Sequence, residues 1–321
     1  MQQILEQLQQ IGLVPVIKIE DPAQAEPLAK ALMAGGLPCA EVTFRTAGAA
    51  KAIRAMKAAC PDMLVGAGTV LTTDQADEAL EAGAQFIVSP GLNPVVVRHC
   101  VDIGVPVTPG CANPSDVERA IELGLEVVKF FPAQAAGGLP MIKSMAAPYG
   151  NIKFMPTGGI NPDNLVEYLS FPKVIACGGS WMVPEKLLKA GDYAGITRLT
   201  RQALDLVLGF EVRHVGVNAG DDPTAQAAAG LFAKLFGFPS LGNNAASVFS
   251  GPSIEIMKEG GRGARGHIAI GTNSVTRAEA YLRRLGVRFI EESRQYNEAG
   301  QLKLIYLQDE VCGFALHLAL K

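Results

Sequence analysis

Residues 14–208 alternate short β-like runs with helical runs, eight times over. The β-like runs are VPVIKI (14–19), PCAEVTF (38–44), MLVGAG (63–68), QFIVSP (85–90), VPVTPG (105–110), EVVKFF (126–131), IKFMPT (152–157) and VIACGG (174–179). Amphipathic stretches such as PAQAEPLAKALMAG (22–35) and TDQADEALEAG (73–83) lie between them. Strands separated by single helices run parallel, because each helix returns the chain to the start of the next strand. The count and even spacing predict an α/β fold, a compact (β/α)8 TIM barrel. A doubly wound sheet is the competing arrangement, and the lack of a GxGxxG after the first run weighs against it.

The pattern changes near Gly209. EVRHVGVN (211–218) precedes a helical run (223–237) and short strands near 246–250 and 253–258. GHIAIGTN (266–273) then precedes a second helical run (274–286) and strands near 287–292, 302–307 and 313–319. This reads as an α+β domain of two βαβββ modules. The expected domains are therefore 1–209 and 210–321.

Composition narrows the function. A net charge of −3 and no long basic run argue against nucleic acid as a partner. No stretch of about 20 apolar residues offers a bilayer span, so no membrane partner is expected. The first residues, MQQILEQLQQIG, read as a short amphipathic helix rather than a signal peptide. Six cysteines lack CxxC spacing and several sit in apolar segments, as buried free thiols do. A cytoplasmic location is the simplest expectation.

Within the sixth run, Lys129 stands among Val127, Val128, Phe130 and Phe131. An unbroken apolar run predicts a strand buried on both faces. A lysine there either snorkels to water or is held where the charged form is destabilised and the neutral, nucleophilic amine is favoured. In a barrel, function sits at the C-terminal strand ends. There the sequence gathers Glu41, Arg45, Thr69, Lys129, Thr157, Gly158, Gly159, Gly178, Gly179 and Ser180. An amine can form an imine with a ketone, and a carboxylate such as Glu41 can move the protons. Arg45 can grip a carboxylate through two parallel hydrogen bonds. The glycine-rich ends expose N–H groups suited to phosphate, with Ser180 expected to open a short helix. A rim ion pair between Glu41 and Arg45, and plain tight turns at the glycines, are the structural alternatives.

In this order and spacing, EVTFRT, VGAGTV, SPG, VKFFPA, PTGGI and CGGSW resemble the class I 2-keto-3-deoxy-6-phosphogluconate (KDPG) and 4-hydroxy-2-oxoglutarate (KHG) aldolase family, over about residues 10–208. The resemblance implies Lys129 as the Schiff-base lysine and Glu41 as the general acid/base. It implies that Arg45 and Thr69 bind the pyruvate carboxylate, with Pro90 and Phe131 among the substrate-binding residues. It implies phosphate contacts at Gly158, Gly159, Gly179 and Ser180, with Thr157 near the aldehyde end. The implied partner is a small phosphorylated 2-keto acid, the implied assembly a homotrimer, and no cofactor is implied for the aldol step. A metal-dependent aldolase would need a His and carboxylate cluster. Residues 1–209 hold one histidine, His99, on a predicted helix. An isomerase on the same kind of barrel would not need the strand-six lysine.

The remaining three histidines fall in the last part of the chain. The paired modules resemble the vicinal-oxygen-chelate superfamily, which includes glyoxalase I. By position, His214, Glu255, His267 and His317 match its ligand places, and such a set suits a divalent metal such as Zn, Ni or Fe. The departure is His317, where that superfamily usually has a glutamate. A metal-free ligand-binding or assembly module is the other reading.

Overall fold

The computed structural model describes all residues, 1–321, as two compact units, Met1–Val207 and Leu208–Lys321. In the first unit the strands are β1 (Leu13–Ile17), β2 (Cys39–Thr43), β3 (Leu64–Gly68), β4 (Ile87–Val88), β5 (Val107–Thr108), β6 (Gly110–Cys111), β7 (Val127–Phe130), β8 (Lys153–Pro156) and β9 (Cys177–Gly179). Six pair in the order β5-β4-β3-β2-β1-β9, and three in the order β6-β7-β8. All these pairings are parallel.

The two sheets are arcs of one ring. Strands β5 and β6 are a single strand interrupted at Pro109, which has no N–H to give the ladder. Bridges Phe154↔Val174 and Thr157↔Gly178 join β8 to the β9 segment. The ring therefore has eight staves, a TIM-barrel-like α/β unit. Its strands β2, β3 and β7 are buried at every residue, as near-continuous apolar runs demand when helices cover the outside.

The second unit is mostly sheet. Its strands are β10 (Glu211–Asn218), β11 (Ser240–Asn243), β12 (Ser247–Ser250), β13 (Ile254–Met257), β14 (Gly266–Thr272), β15 (Phe289–Tyr296), β16 (Leu302–Leu307) and β17 (Phe314–Leu320). One helix, Asp222–Phe236, follows β10, and another, Val275–Arg284, follows β14. The strands form one sheet in the order β11-β12-β13-β10-β14-β17-β16-β15. Asp221 and Ser274 cap the two helices, each accepting a backbone N–H three residues on. Ala225, Ala229, Val248 and Ile256 make a small core between the first helix and the sheet. No helix of the chain is long and apolar enough to cross a membrane.

Candidate functional sites

In the first unit, Lys129 on β7 and Glu41 on β2 meet, with Nζ 3.4 Å from Oε1. Both are buried: Lys129 is 5% exposed and Glu41 0%. Lys129 Nζ also lies 5.3 Å from the centroid of the Phe131 ring. Glu41 thus partners Lys129, while Arg45 Nε donates to Thr43 Oγ1 at 3.2 Å. Gly68 makes the pairing possible, since a Cβ there would fall 2.1 Å from Glu41 Oε1. The glycine of VGAGTV is therefore the space that the carboxylate occupies.

Six buried side-chain oxygens have no hydrogen-bond partner, and three of them lie on or just after barrel strands: Glu41 Oε2 within β2, Thr108 Oγ1 at the end of β5 and Thr157 Oγ1 just after β8. Buried polar atoms are rarely left so, and orphans gathered at one end of a barrel point to a ligand there. Thr69, at the end of β3, has φ 58°. A β-branched residue in that region is strained, and such strain gathers at ligand sites. Gly158 and Gly159 also have positive φ, at 98° and 80°. Rival nucleophiles are weak: burial pushes the Cys111 thiol up to about 12, and burial with the Glu41 charge pushes Cys39 up as well.

Arg45 and Ser180, both exposed, line one cleft of about 330 Å³ together with Lys18 and Lys189. Lys18 was not legible as a site residue; it directly follows β1, as Arg45 stands just beyond β2. Pro90 and Phe131 are half-buried, after β4 and β7. Ser180 does not open a helix as expected. Its carbonyl accepts the Val183 N–H in a turn, and the helix begins at Glu185, after Pro184. His99 lies on the helix Pro94–Asp102 and pairs with Asp77 at 2.7 Å, on the surface.

In the second unit the four candidate ligands stand on the four central strands: Glu255 on β13, His214 on β10, His267 on β14 and His317 on β17. Gly216 is level with both Glu255 and His267, and Ala269 is level with both His214 and His317. Two rows, two residues apart along β10, place all four on one face. Gly216 leaves room between its neighbours, for a Cβ there would meet the His267 ring at 2.0 Å. Glu255 Oε2 lies 3.1 Å from His214 Nε2 and 3.1 Å from His267 Nε2, and those two nitrogens are 3.1 Å apart. His317 brings a third imidazole, with ligand atoms of the three histidines all within 4.8 Å of one another.

A triangle of this size could hold a metal ion, and hydrogen bonds alone do not account for all three edges. The two nitrogens carry at most one proton each and the carboxylate none, so three edges cannot all be hydrogen bonds. Donors at about 2.0–2.2 Å from one divalent ion are separated by roughly 2.8–3.6 Å, for octahedral to tetrahedral angles. Burial raises the Glu255 carboxyl, but hydrogen bonds from His214, His267 and Ser247 outweigh it and hold it well below the usual range. Burial, aided by His267 and His214, lowers His317 to about 4, so it is neutral and able to ligate at neutral pH.

The fold and first site together define a parallel α/β barrel with a buried lysine–carboxylate pair at its strand ends. The KDPG and KHG aldolase family model matches residues 4–199, and the chain belongs to that family. It is 52% identical over 204 residues to the 2-dehydro-3-deoxy-phosphogluconate aldolase of Treponema pallidum, covering 64% of this chain and 97% of that protein. The 2-keto-3-deoxy-6-phosphogluconate aldolase of Zymomonas mobilis, solved with 3-phosphoglycerate, superposes with TM-score 0.59 at 45% identity, covering 63% of this chain and 95% of that one. The Legionella pneumophila KDPG aldolase, solved with pyruvate captured as a covalent carbinolamine, gives TM-score 0.60 at 40% identity over 62% and 97% of the two chains.

Proposed function

We propose that the first unit, with the boundary read at residue 209, is a class I aldolase that cleaves KDPG to pyruvate and glyceraldehyde 3-phosphate. The same site would cleave 4-hydroxy-2-oxoglutarate to pyruvate and glyoxylate. The observation that carries this is the buried Lys129–Glu41 pair at 3.4 Å. The Lys129 amine attacks the C2 ketone, and Glu41 passes the proton needed for the carbinolamine to lose water. The iminium then draws the electron pair of the C3–C4 bond as the C4 hydroxyl gives up its proton, releasing the aldehyde. The enamine takes a proton at C3, and water frees pyruvate from the lysine. Arg45 and Thr69 hold the carboxylate, Pro90 and Phe131 flank the substrate, and Thr157 faces the aldehyde end. Gly158, Gly159, Gly179 and Ser180 take the phosphate. A likeness to a protein solved with 3-phosphoglycerate supports that last assignment. Incubation with pyruvate and borohydride should leave a reduced pyruvyl adduct on Lys129. An adduct on another lysine, or none, sinks the imine mechanism. A homotrimer and a cytoplasmic location complete this reading, the first checked by light scattering.

The second unit we read as paired βαβββ modules of the vicinal-oxygen-chelate kind that hold a divalent ion on His214, Glu255, His267 and His317. The repeated order of strand, helix and three strands supports the pairing. The 3.1 Å triangle favours a metal over a metal-free module. Once bound, such an ion supplies a Lewis acid for an oxygen ligand. Metal analysis of untagged protein tests this. A stoichiometry near zero after adding back Zn, Ni, Mn or Fe overturns it.

A further inference from the structure

We propose that Arg213 makes the cleft of the second unit a receptor for a small 2-oxo carboxylate. The guanidinium holds the carboxylate end, and the oxo oxygen faces the metal. This rests on the metal reading above. The observation that carries it is a β-bulge. Val212 is level with Ile270 and His214 with Ala269, so two steps along β10 answer one step along β14. Arg213 is the extra residue. Strict alternation would send it to the face opposite His214. With the bulge, Arg213 and His214 line the same cleft, of about 420 Å³. Bulges re-aim side chains in this way beside functional sites.

The walls of the cleft define the ligand. Arg213 and Lys303 are its cations. Its one carboxylate, Glu255, is already engaged by His214, His267 and Ser247. An anion therefore meets attraction without an opposing free charge. Arg213 donates from Nη1 to the Leu320 carbonyl, which orients the side chain. A guanidinium has five N–H donors, so the fork that grips a carboxylate remains available. Phe249, Pro252 and Leu304 give an apolar wall for a short carbon chain. An ion that prefers six donors, such as Mn²⁺, keeps positions for further oxygens beyond these four ligands. A carboxylate with an oxygen on the next carbon satisfies the cation and the ion together. The proposed product of the first unit belongs to that class.

The test uses the full chain carrying Lys129→Ala, so that no imine forms in the barrel, loaded with Mn²⁺. Calorimetry follows pyruvate binding. Relaxation of the pyruvate methyl protons by Mn²⁺ reports only ligand beside the ion. The expected result is strong relaxation, with affinity falling about ten- to a hundredfold in Arg213→Met, the worth of a charge-assisted hydrogen bond. Arg213→Lys should fall between, and acetate should bind at least about tenfold more weakly than pyruvate, having lost one oxygen contact. Melting curves of both variants confirm that they fold. Equal pyruvate relaxation and affinity in Arg213→Met, or equal affinity for acetate, overturns the proposal. Metal without pyruvate binding overturns it while the metal reading stands. Neither metal nor pyruvate binding overturns both.

Discussion

Lys129 and Glu41 are 88 residues apart in the chain and meet inside the barrel. Their burial makes the pair a liability for stability. Taking two charges out of water costs several kcal/mol per ion, and their attraction offsets this only while both are present. Lys129→Met alone should therefore abolish pyruvate release and destabilise the protein by about 3–5 kcal/mol, because the buried Glu41 carboxyl loses its partner. Adding Glu41→Leu should recover most of the stability and none of the activity. Urea unfolding and a coupled pyruvate assay check both. If the double variant is no more stable than the single, the pair is not a buried ion pair in the folded protein. The lysine was legible because a cation in an unbroken apolar run is rare. Its contact with Glu41, rather than a rim pairing of Glu41 with Arg45, depends on the staves of the closed barrel. Nothing in local sequence carries that. The strain at Thr69 was equally hidden, since its φ of 58° follows from how the chain leaves β3.

At the scale of elements, the barrel strands were readable where β-branched runs are long. They were less so at β4 and β5, which keep two ladder residues each. Pro109 interrupts the fifth stave without ending it. In the second unit, β11 escaped notice because Ser240–Asn243, SLGN, holds one apolar residue and lies at the sheet edge. The bulge at Arg213 was invisible for a different reason. It is a mismatch between two strands, and neither strand shows it alone. The loop from β9 to the helix Glu185–Ala190 has a testable consequence. Ser180 lies in its turn and lines the cleft with Arg45. Ser180→Ala should lower kcat/KM for KDPG about ten- to a hundredfold, the worth of one hydrogen bond to a charged group. Cleavage of 4-hydroxy-2-oxoglutarate, which has no phosphate, should change little. Equal losses on both substrates would move the phosphate elsewhere on the barrel.

At the scale of the whole molecule, the two units carry different chemistry, and each can be disturbed separately. In the mechanism proposed for the first unit, an imine does what a Lewis acid does in a metal-dependent aldolase. Its strand ends present a lysine and a carboxylate, whereas the His and Glu cluster belongs entirely to the second unit. Chelation should therefore act on one unit only. An ion that binds the folded state and not the unfolded one stabilises by mass action, by about 2.7 kcal/mol when its free concentration is a hundred times the dissociation constant. Removing it should lower the melting transition of the second unit. Pyruvate release from KDPG should remain nearly unchanged in the same sample. Calorimetric melting with and without chelator, alongside the aldolase assay, reads both halves. A transition that does not move would mean the cluster holds no stabilising ion. A large loss of aldolase activity would instead show that the chemistry of the first unit depends on the second.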